Sequence, residues 1–525
     1  MDPAFLTIAE LNRLYDRREL SPVEVTQALI DRIAAHDGKL HSFIRVTPEV
    51  ALREASAAER QLTAGQRRGL LHGVPYALKD IIETAGIPTT GHSKLCQDYV
   101  PAADAHLVSL LKAGGAVLMG KLATWEFALG GPSWDLPWPP ARNPWNPDTL
   151  PGGSSSGAGA AVAAGFVPAA VGTDTGGSIR GPAAVCGIAG LKPTYGRVSR
   201  RGVFPNTFTM DHCGPLTRSA EDIALFLQVI AGFDPEDPGS EDAPVPDYRA
   251  ALTDRIEGLR LGLVEHWYAH GAHPDLAPAI SAAVEVLRGL GAVVEPVALS
   301  SLRDYTDCKT TISIAELYSI HEHDLKTRPQ DFGRILRNRV LPGALIQAED
   351  YVAALRWRTE LAREQAQALK RFDALVTAAS LGVADPADPN LPDRLIRVPS
   401  ITMPFSVGGL PAIAIPCGFS RAEGLPLSLQ IAAAPFAEGL VLREAIVQGA
   451  GKRVRPVMIT AMTAILGLLP AATSTGVGAQ TQRPLAIVVV GGMSVTLLLD
   501  RYLMPVLYTF YGHRQPPEGA ANIAH

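Results

Sequence analysis

Hydrophobic and polar positions along the chain switch between a helical period of 3.6 and a strand period of 2. Ser21-Pro22-Val23-Glu24 opens a helix: Ser21 caps it, Pro22 suits the first turn and Glu24 closes a capping box. Val25, Ala28, Leu29 and Ile33 then fall on one face, and helical patterning recurs over Thr47–Ala64. Leu107–Ala113 reads as helix and Ala116–Met119 as strand, with Gly114-Gly115 between them. Ser219–Ile230 is an amphipathic helix closed by Gly232 and Pro235. From Gly258 to Leu299 the order is strand, loop, helix, strand, and residues 310–370 are mostly helical. Phe372–Val376, Pro399–Val407, Leu410–Pro416 and Leu427–Ala432 read as strands that complete a sheet. Such an alternation predicts an α/β protein. The pattern changes after about Arg443. Val457–Gln482 and Pro484–Leu499 carry no charge, and each holds an apolar core of about 16–20 residues, near the minimum for a bilayer-spanning helix. Asp500 and Arg501 interrupt the second.

Composition narrows the classes. The chain has 525 residues, 47% of them hydrophobic, more than one compact core needs. The net charge of −5, with both signs mixed, predicts no nucleic-acid surface. The five cysteines (Cys96, Cys186, Cys213, Cys308, Cys417) are scattered without a C-x-x-C pair, as in reduced cytosolic proteins. Met1–Leu20 has no apolar signal-peptide core, so a cytoplasmic location is expected.

Candidate chemistry concentrates in Gly152–Pro182, GGSSSGAGAAVAAGFVPAAVGTDTGGSIRGP. Two serines set in glycine, Ser154 and Ser178, flank a small, apolar segment. A serine on a tight turn with free backbone amides around it suits a nucleophile beside an oxyanion hole. A Gly/Ser linker does not carry AAVAAGFVPAAVG, and the glycine pattern matches neither a phosphate-binding loop nor a dinucleotide fingerprint. Lys79 interrupts the apolar run Leu71–Ile82; held in a poorly solvated pocket it would lose its proton and act as a base near neutral pH. Cys186 has no His and Asn/Asp set to make it a nucleophile, and His212 reads as structural. His266, His270 and His273, like His321-Glu322-His323, match no metal motif. Thr124–Pro140, rich in Trp, Gly and Pro, reads as a loop that packs on the domain edge or lines an apolar pocket.

Gly153-Ser154-Ser155-Ser156-Gly157, then Gly172, Asp174, Gly176, Ser178, Ile179, Arg180 and Pro182, resemble the signature of the amidase signature family of serine hydrolases. Gly73-Val74-Pro75-Tyr76-Ala77-Leu78-Lys79-Asp80 resembles the family's Gly-x-Pro-x-x-x-Lys-Asp motif. Gly187–Pro193, Asp211–Leu216, TMPFSVGGLPAIAIPCGF and GLPLSLQI continue the resemblance to about residue 442. Ser156 departs from the commoner text, where glycine is more usual.

The resemblance implies an amidase signature fold, a mixed, twisted central sheet covered by helices on both faces, with residues 310–370 over the cleft. It implies Ser178 as nucleophile, Ser154 as its bridge to Lys79, and a cis Gly153–Ser154 peptide. Backbone N–H groups of Thr175, Gly176, Gly177 and Ser178 would form the oxyanion hole; Ser155, Asp174 and Arg180 would hold the loops. Leu129, Gly130 and Trp134 are the candidate substrate pocket. No metal and no organic cofactor is needed.

Arg443–Tyr508 resembles the last two membrane helices of resistance-nodulation-division efflux transporters, so residues 1–442 read as an amidase domain and 443–525 as a fused apolar helical tail. The expected function is hydrolysis of carboxylic amides, with aryl amides, esters and carbamates as further substrates. The expected partner is a small-molecule amide and no nucleic acid, with membrane association through the tail and homo-oligomerisation left open. One alternative is the amidase subunit of a tRNA-dependent glutamine amidotransferase; another is a membrane-associated, non-catalytic fusion.

Overall fold

The computed structural model describes residues 3–253, 256–389, 399–443 and 445. The strands are β1 (Phe43–Val46), β2 (Pro75–Lys79), β3 (Val117–Leu122), β4 (Ala169–Asp174), β5 (Ala189–Lys192), β6 (His212–Thr217), β7 (Arg260–Leu263), β8 (Val293–Pro296), β9 (Ala374–Ala378), β10 (Ala412–Phe419) and β11 (Pro426–Ala433). They form one sheet in the order β1-β3-β2-β4-β6-β5-β10-β11-β9-β7-β8. It is mixed: β2 runs parallel to β3 and β4, β7 runs parallel to β8 and β9, and the central strands β4, β6, β5, β10 and β11 pair antiparallel.

Side chains alternate across the pleat. Tyr76, Leu78, Leu118, Val171 and Ile413 join one buried cluster, whereas Ala77, Val117, Met119, Ala170 and Ala414 join another on the opposite face. Helices α1 (Ile8–Asp16), α2 (Pro22–Leu40) and α3 (Pro48–Thr63) precede or follow β1, and α4 (His106–Ala113), α5 (Ser156–Ala163), α6 (Arg180–Cys186), α7 (Ala220–Ile230) and α8 (Leu276–Gly289) lie between later strands. Val25, Leu29, Ile33 and Ala51 of α2 and α3 fill the second cluster, while Leu107 and Leu111 of α4, Ile223 and Phe226 of α7 and Ile280 of α8 fill the first. Helices therefore cover both faces, as the resemblance implied. The capping box at Ser21 is present: Ser21 Oγ accepts from Glu24 N–H and Glu24 Oε2 accepts from Ser21 N–H.

Three helices, α9 (Leu302–Thr327), α10 (Arg334–Val340) and α11 (Ala348–Ala368), occupy the 310–370 region. The strand expected over Pro399–Val407 is corrected: Met403–Val407 is a short helix, α12. Its carbonyls accept from backbone N–H groups that follow: Pro404 O from Gly408, Phe405 O from Leu410 and Ser406 O from Gly409. Gln365 Nε2 donates to Pro404 O at 2.9 Å and Arg358 Nε donates to Val407 O at 3.0 Å. A short apolar run suits helix or strand equally; here the backbone closes a helical turn and the contacts from α11 hold it in place. The expected apolar helices of the tail lie outside the described residues. Among the described residues, no helix is long and apolar enough to cross a membrane.

Candidate active site

Lys79 is the last residue of β2, in the interior of the sheet, and its side chain is fully buried. Its Nζ donates to Ser154 Oγ at 2.7 Å and to Thr173 Oγ1 at 2.7 Å. Burial lowers the pKa of the Lys79 ammonium to about 7, against the smaller opposing pull of Asp174 and Asp211. Lys79 is thus able to hold or release a proton near neutral pH. Behind it, Asp80 and Lys121 form a buried ion pair at 3.3 Å, and Lys121 also donates to the Ile82 carbonyl, which ties down the end of β2.

The Gly153–Ser154 peptide is cis. Gly153 lies against the Trp125 ring, where a Cβ would come within 2.0 Å of the indole. The Trp125 backbone N–H donates to Ser154 O at 3.1 Å, so the aromatic loop and the serine loop are stitched together. Ser155 N–H donates to Ser178 O at 3.2 Å, which sets the two serine loops side by side. Ser155 Oγ also bridges to the backbone of Thr173. Ser154 is fully buried, whereas Ser178 is half-exposed, and among the described residues its hydroxyl makes no hydrogen bond. A half-exposed, uncommitted hydroxyl beside a buried base relay is the arrangement a nucleophile needs.

Asp174 is the hub of the loop that carries Ser178. Its carboxylate takes a two-pronged contact from Arg180, Nε to Oδ2 and Nη2 to Oδ1, both at 3.0 Å. Burial alone would raise its pKa, but the Arg180 guanidinium outweighs it and holds the carboxyl well below the usual range. Arg180 in turn donates to Gln430 Oε1 at 3.0 Å and Ser406 Oγ at 2.8 Å. The Gly177 N–H donates to Asp174 Oδ1 at 2.7 Å. This amide therefore braces the loop, and the oxyanion-hole expectation narrows to Thr175, Gly176 and Ser178. Gly177 has φ +128°, and a Cβ there would meet Thr402 Oγ1 at 1.9 Å. Thr402 Oγ1 donates to Gly176 O at 2.7 Å, fixing the peptide plane of the loop.

The expected pocket residues are distributed differently. Leu129 packs against the cluster of Phe127, Leu317 and Leu336, and Gly130 lies beneath α10, where a Cβ would meet Leu336 Cα at 3.3 Å. Trp134 is half-buried, and the tryptophan that touches the serine loop is Trp125. A cavity of about 450 Å³ adjoins the base relay instead, lined by Thr173, Ile81, Phe204, Asn206, Thr209 and Asp211. Thr173 thus faces both Lys79 and this chamber.

His212 is structural, as its sequence context suggested: its ring bridges Asp174 O and Lys192 Nζ. His266 contacts Leu299 O, and His321 stacks on Phe127 at 4.4 Å. Burial raises the pKa of the Cys186 thiol, which leaves it a poor nucleophile. Sequence reasoning missed Thr173, Asp211, Lys309, Thr402, Ser406 and Gln430. Thr173 stands in the signature one residue before Asp174, and Asp211, Thr402, Ser406 and Gln430 fall within the family-like segments quoted above; Lys309 alone had no signal.

A model of the amidase family matches residues 24–442. The chain belongs to the amidase signature family. It is 40% identical over 470 residues to the A subunit of the glutamyl-tRNA(Gln) amidotransferase of Moorella thermoacetica, a match that covers 85% of this chain and 96% of that protein. Among solved structures it resembles a chain of a vestigial protein complex that reveals the evolutionary origins of an s-triazine catabolic enzyme, at 33% identity and TM-score 0.79 over 85% of this chain and 99% of that one. It also resembles the peptide amidase of Stenotrophomonas maltophilia, at 31% identity and TM-score 0.74 over 85% and 97%. A model of the AcrB/AcrD/AcrF family matches residues 404–512, overlapping the amidase match and taking in residues 443–512 of the expected tail. The expectation of a small-molecule amide as the partner, with no nucleic acid, is corrected by these relatives. Those at 40% identity are, by name, parts of an enzyme that acts on a charged tRNA.

Proposed function

We propose that this chain is the amidase subunit of a tRNA-dependent amidotransferase, releasing ammonia from glutamine through an acyl-enzyme on Ser178. The observation that carries the reading is the Lys79–Ser154 contact beside an uncommitted Ser178, in a chain 40% identical to amidotransferase A subunits over nearly their whole length. Neutral Lys79 takes a proton through Ser154 as Ser178 Oγ attacks the amide carbonyl. The backbone N–H groups of Thr175, Gly176 and Ser178 receive the developing oxyanion, and Ser154 returns the proton to the leaving ammonia. Water then clears the acyl group by the same relay, with lysine in the role histidine has in other serine hydrolases. The reading assigns residues 1–442 to this chemistry and 443–525 to a transporter-derived addition.

A second reading is a self-sufficient amidase that also takes aryl amides, esters or carbamates; the likeness to the peptide amidase supports it. The experiment that separates them is ammonia release from glutamine compared with a panel of anilides, aliphatic amides and aryl carbamates, beside Ser178→Ala. Glutamine turnover that rises when candidate partner proteins and glutamyl-tRNA are added supports the amidotransferase. Turnover of anilides or carbamates with no response to glutamine overturns it.

A further inference from the structure

Lys309 lies on α9, far along the chain from Lys79, Ser154 and Ser178, yet it presses against the loop that carries the nucleophile. A Cβ placed on Gly176 would meet Lys309 Cε at 3.1 Å and Nζ at 3.6 Å. The residue is 5% exposed, and among the described residues its ammonium makes no hydrogen bond and no ion pair. The carboxylates around it are already committed. Asp211 accepts from Thr175 Oγ1 and from the N–H groups of Asn206 and Thr207. Glu316, on the same helix, accepts from Thr209 Oγ1 at 2.6 Å and from the Tyr351 hydroxyl at 2.9 Å. Asp174 is held by Arg180. Arg339 of α10 adds further positive potential.

A buried cation without a partner is costly unless something anionic arrives to meet it. Gly176 and Ser178 are half-exposed, and Lys309 meets their loop at Gly176, two residues from the Ser178 hydroxyl. We propose that Lys309 binds a carboxylate carried by the amide substrate, a short chain away from the scissile carbonyl. The inference rests on Ser178 being the nucleophile and deepens the proposed function, since it makes ω-amides of short dicarboxylic acids the preferred substrate class. Burial lowers the pKa of the Lys309 ammonium to about 8, which leaves it mostly charged at neutral pH.

The test pairs succinamate with its neutral analogue butyramide, assayed on the full chain alongside Lys309→Gln and Lys309→Arg. Succinate binding by calorimetry is measured on the same three proteins. The expected result is a KM for succinamate raised at least about tenfold in Lys309→Gln, as for loss of one charge-assisted hydrogen bond, with butyramide unchanged and the preference restored in Lys309→Arg. Calorimetric affinity for succinate falls in parallel, a readout that needs no turnover. Equal handling of the anionic and neutral partners by the wild type, or an equal loss of both in Lys309→Gln, overturns the proposal. Succinamate turnover without glutamine turnover leaves the Lys309 assignment standing and removes the amidotransferase reading; glutamine turnover without carboxylate preference does the reverse.

Discussion

Lys79 Nζ stands 2.7 Å from Ser154 Oγ, in an interior that allows the lysine no solvent. That pairing makes a normally protonated base usable, because burial disfavours the ammonium while the hydroxyl gives the neutral amine a proton path.

The pH dependence follows from the sign of that shift. The base must be neutral, and its pKa is lowered to about 7, so kcat/KM is expected to rise with pH through about 7 and then level off. The unfolded lysine keeps its ordinary value of 10.5, so between about 7 and 10.5 the unfolded chain binds the extra proton and stability gains with rising pH. Lys79→Met removes that gain along with activity. An acid limb centred far from 7, measured with the amide turned over fastest, would sink the assignment of Lys79 as base.

Ser178→Ala is expected to lower kcat by about 10⁴-fold or more, because residues of a relay fail as a unit. The side chain is half-exposed and makes no hydrogen bond to a described residue, so stability should move by less than about 0.5 kcal/mol. Stopped assays and thermal melts on one preparation check both. Retained turnover would mean that another group attacks.

Arg180→Met strands the fully buried Asp174 carboxylate, and removing one partner of a buried pair costs about 3–5 kcal/mol. Denaturant titration should show a lower midpoint. The damage should reach catalysis too, since Asp174 also holds the N–H groups of Gly177 and Ile179. A variant as stable as the wild type would contradict the hub role.

Gly177→Ala should abolish activity with a modest loss of stability. Its φ of +128° disfavours any side chain, and the new methyl would meet Thr402 Oγ1 at 1.9 Å. Pairing it with Thr402→Ala removes the Oγ1 contact but leaves Thr402 Cβ at 2.7 Å and the backbone cost, so no more than partial recovery in the double variant is expected. Full recovery would show that the clash alone mattered.

Much of this architecture is legible in the chain because it is local. The capping box at Ser21, the helix starting after Ser219 and the β7–α8–β8 unit depend on neighbours a few residues apart, and periodicity reports such neighbours directly. The serine loops were legible through their family resemblance, since tight turns and close backbone approaches leave few residues to choose from. The signature could announce Ser154, Ser178 and Lys79, but it could not report what surrounds them.

By itself, the sequence determined the strand-and-helix alternation and the glycine-rich loops, because each is written in short-range spacing, and it offered Lys79, Ser154 and Ser178 as candidates through their family resemblance. Only the tertiary structure decided which distant groups meet there. Gln430 and Ser406 come from 250 and 226 positions away to hold Arg180, and Thr402 from 226 away to hold Gly176. Met403–Val407 is a helix held against α11, whose Gln365 donates to Pro404 O. Lys309 reached the catalytic loop because α9 packs there. Long-range contacts of this kind carry no periodicity; they are set by how the sheet's two faces are covered, which is a property of the folded whole.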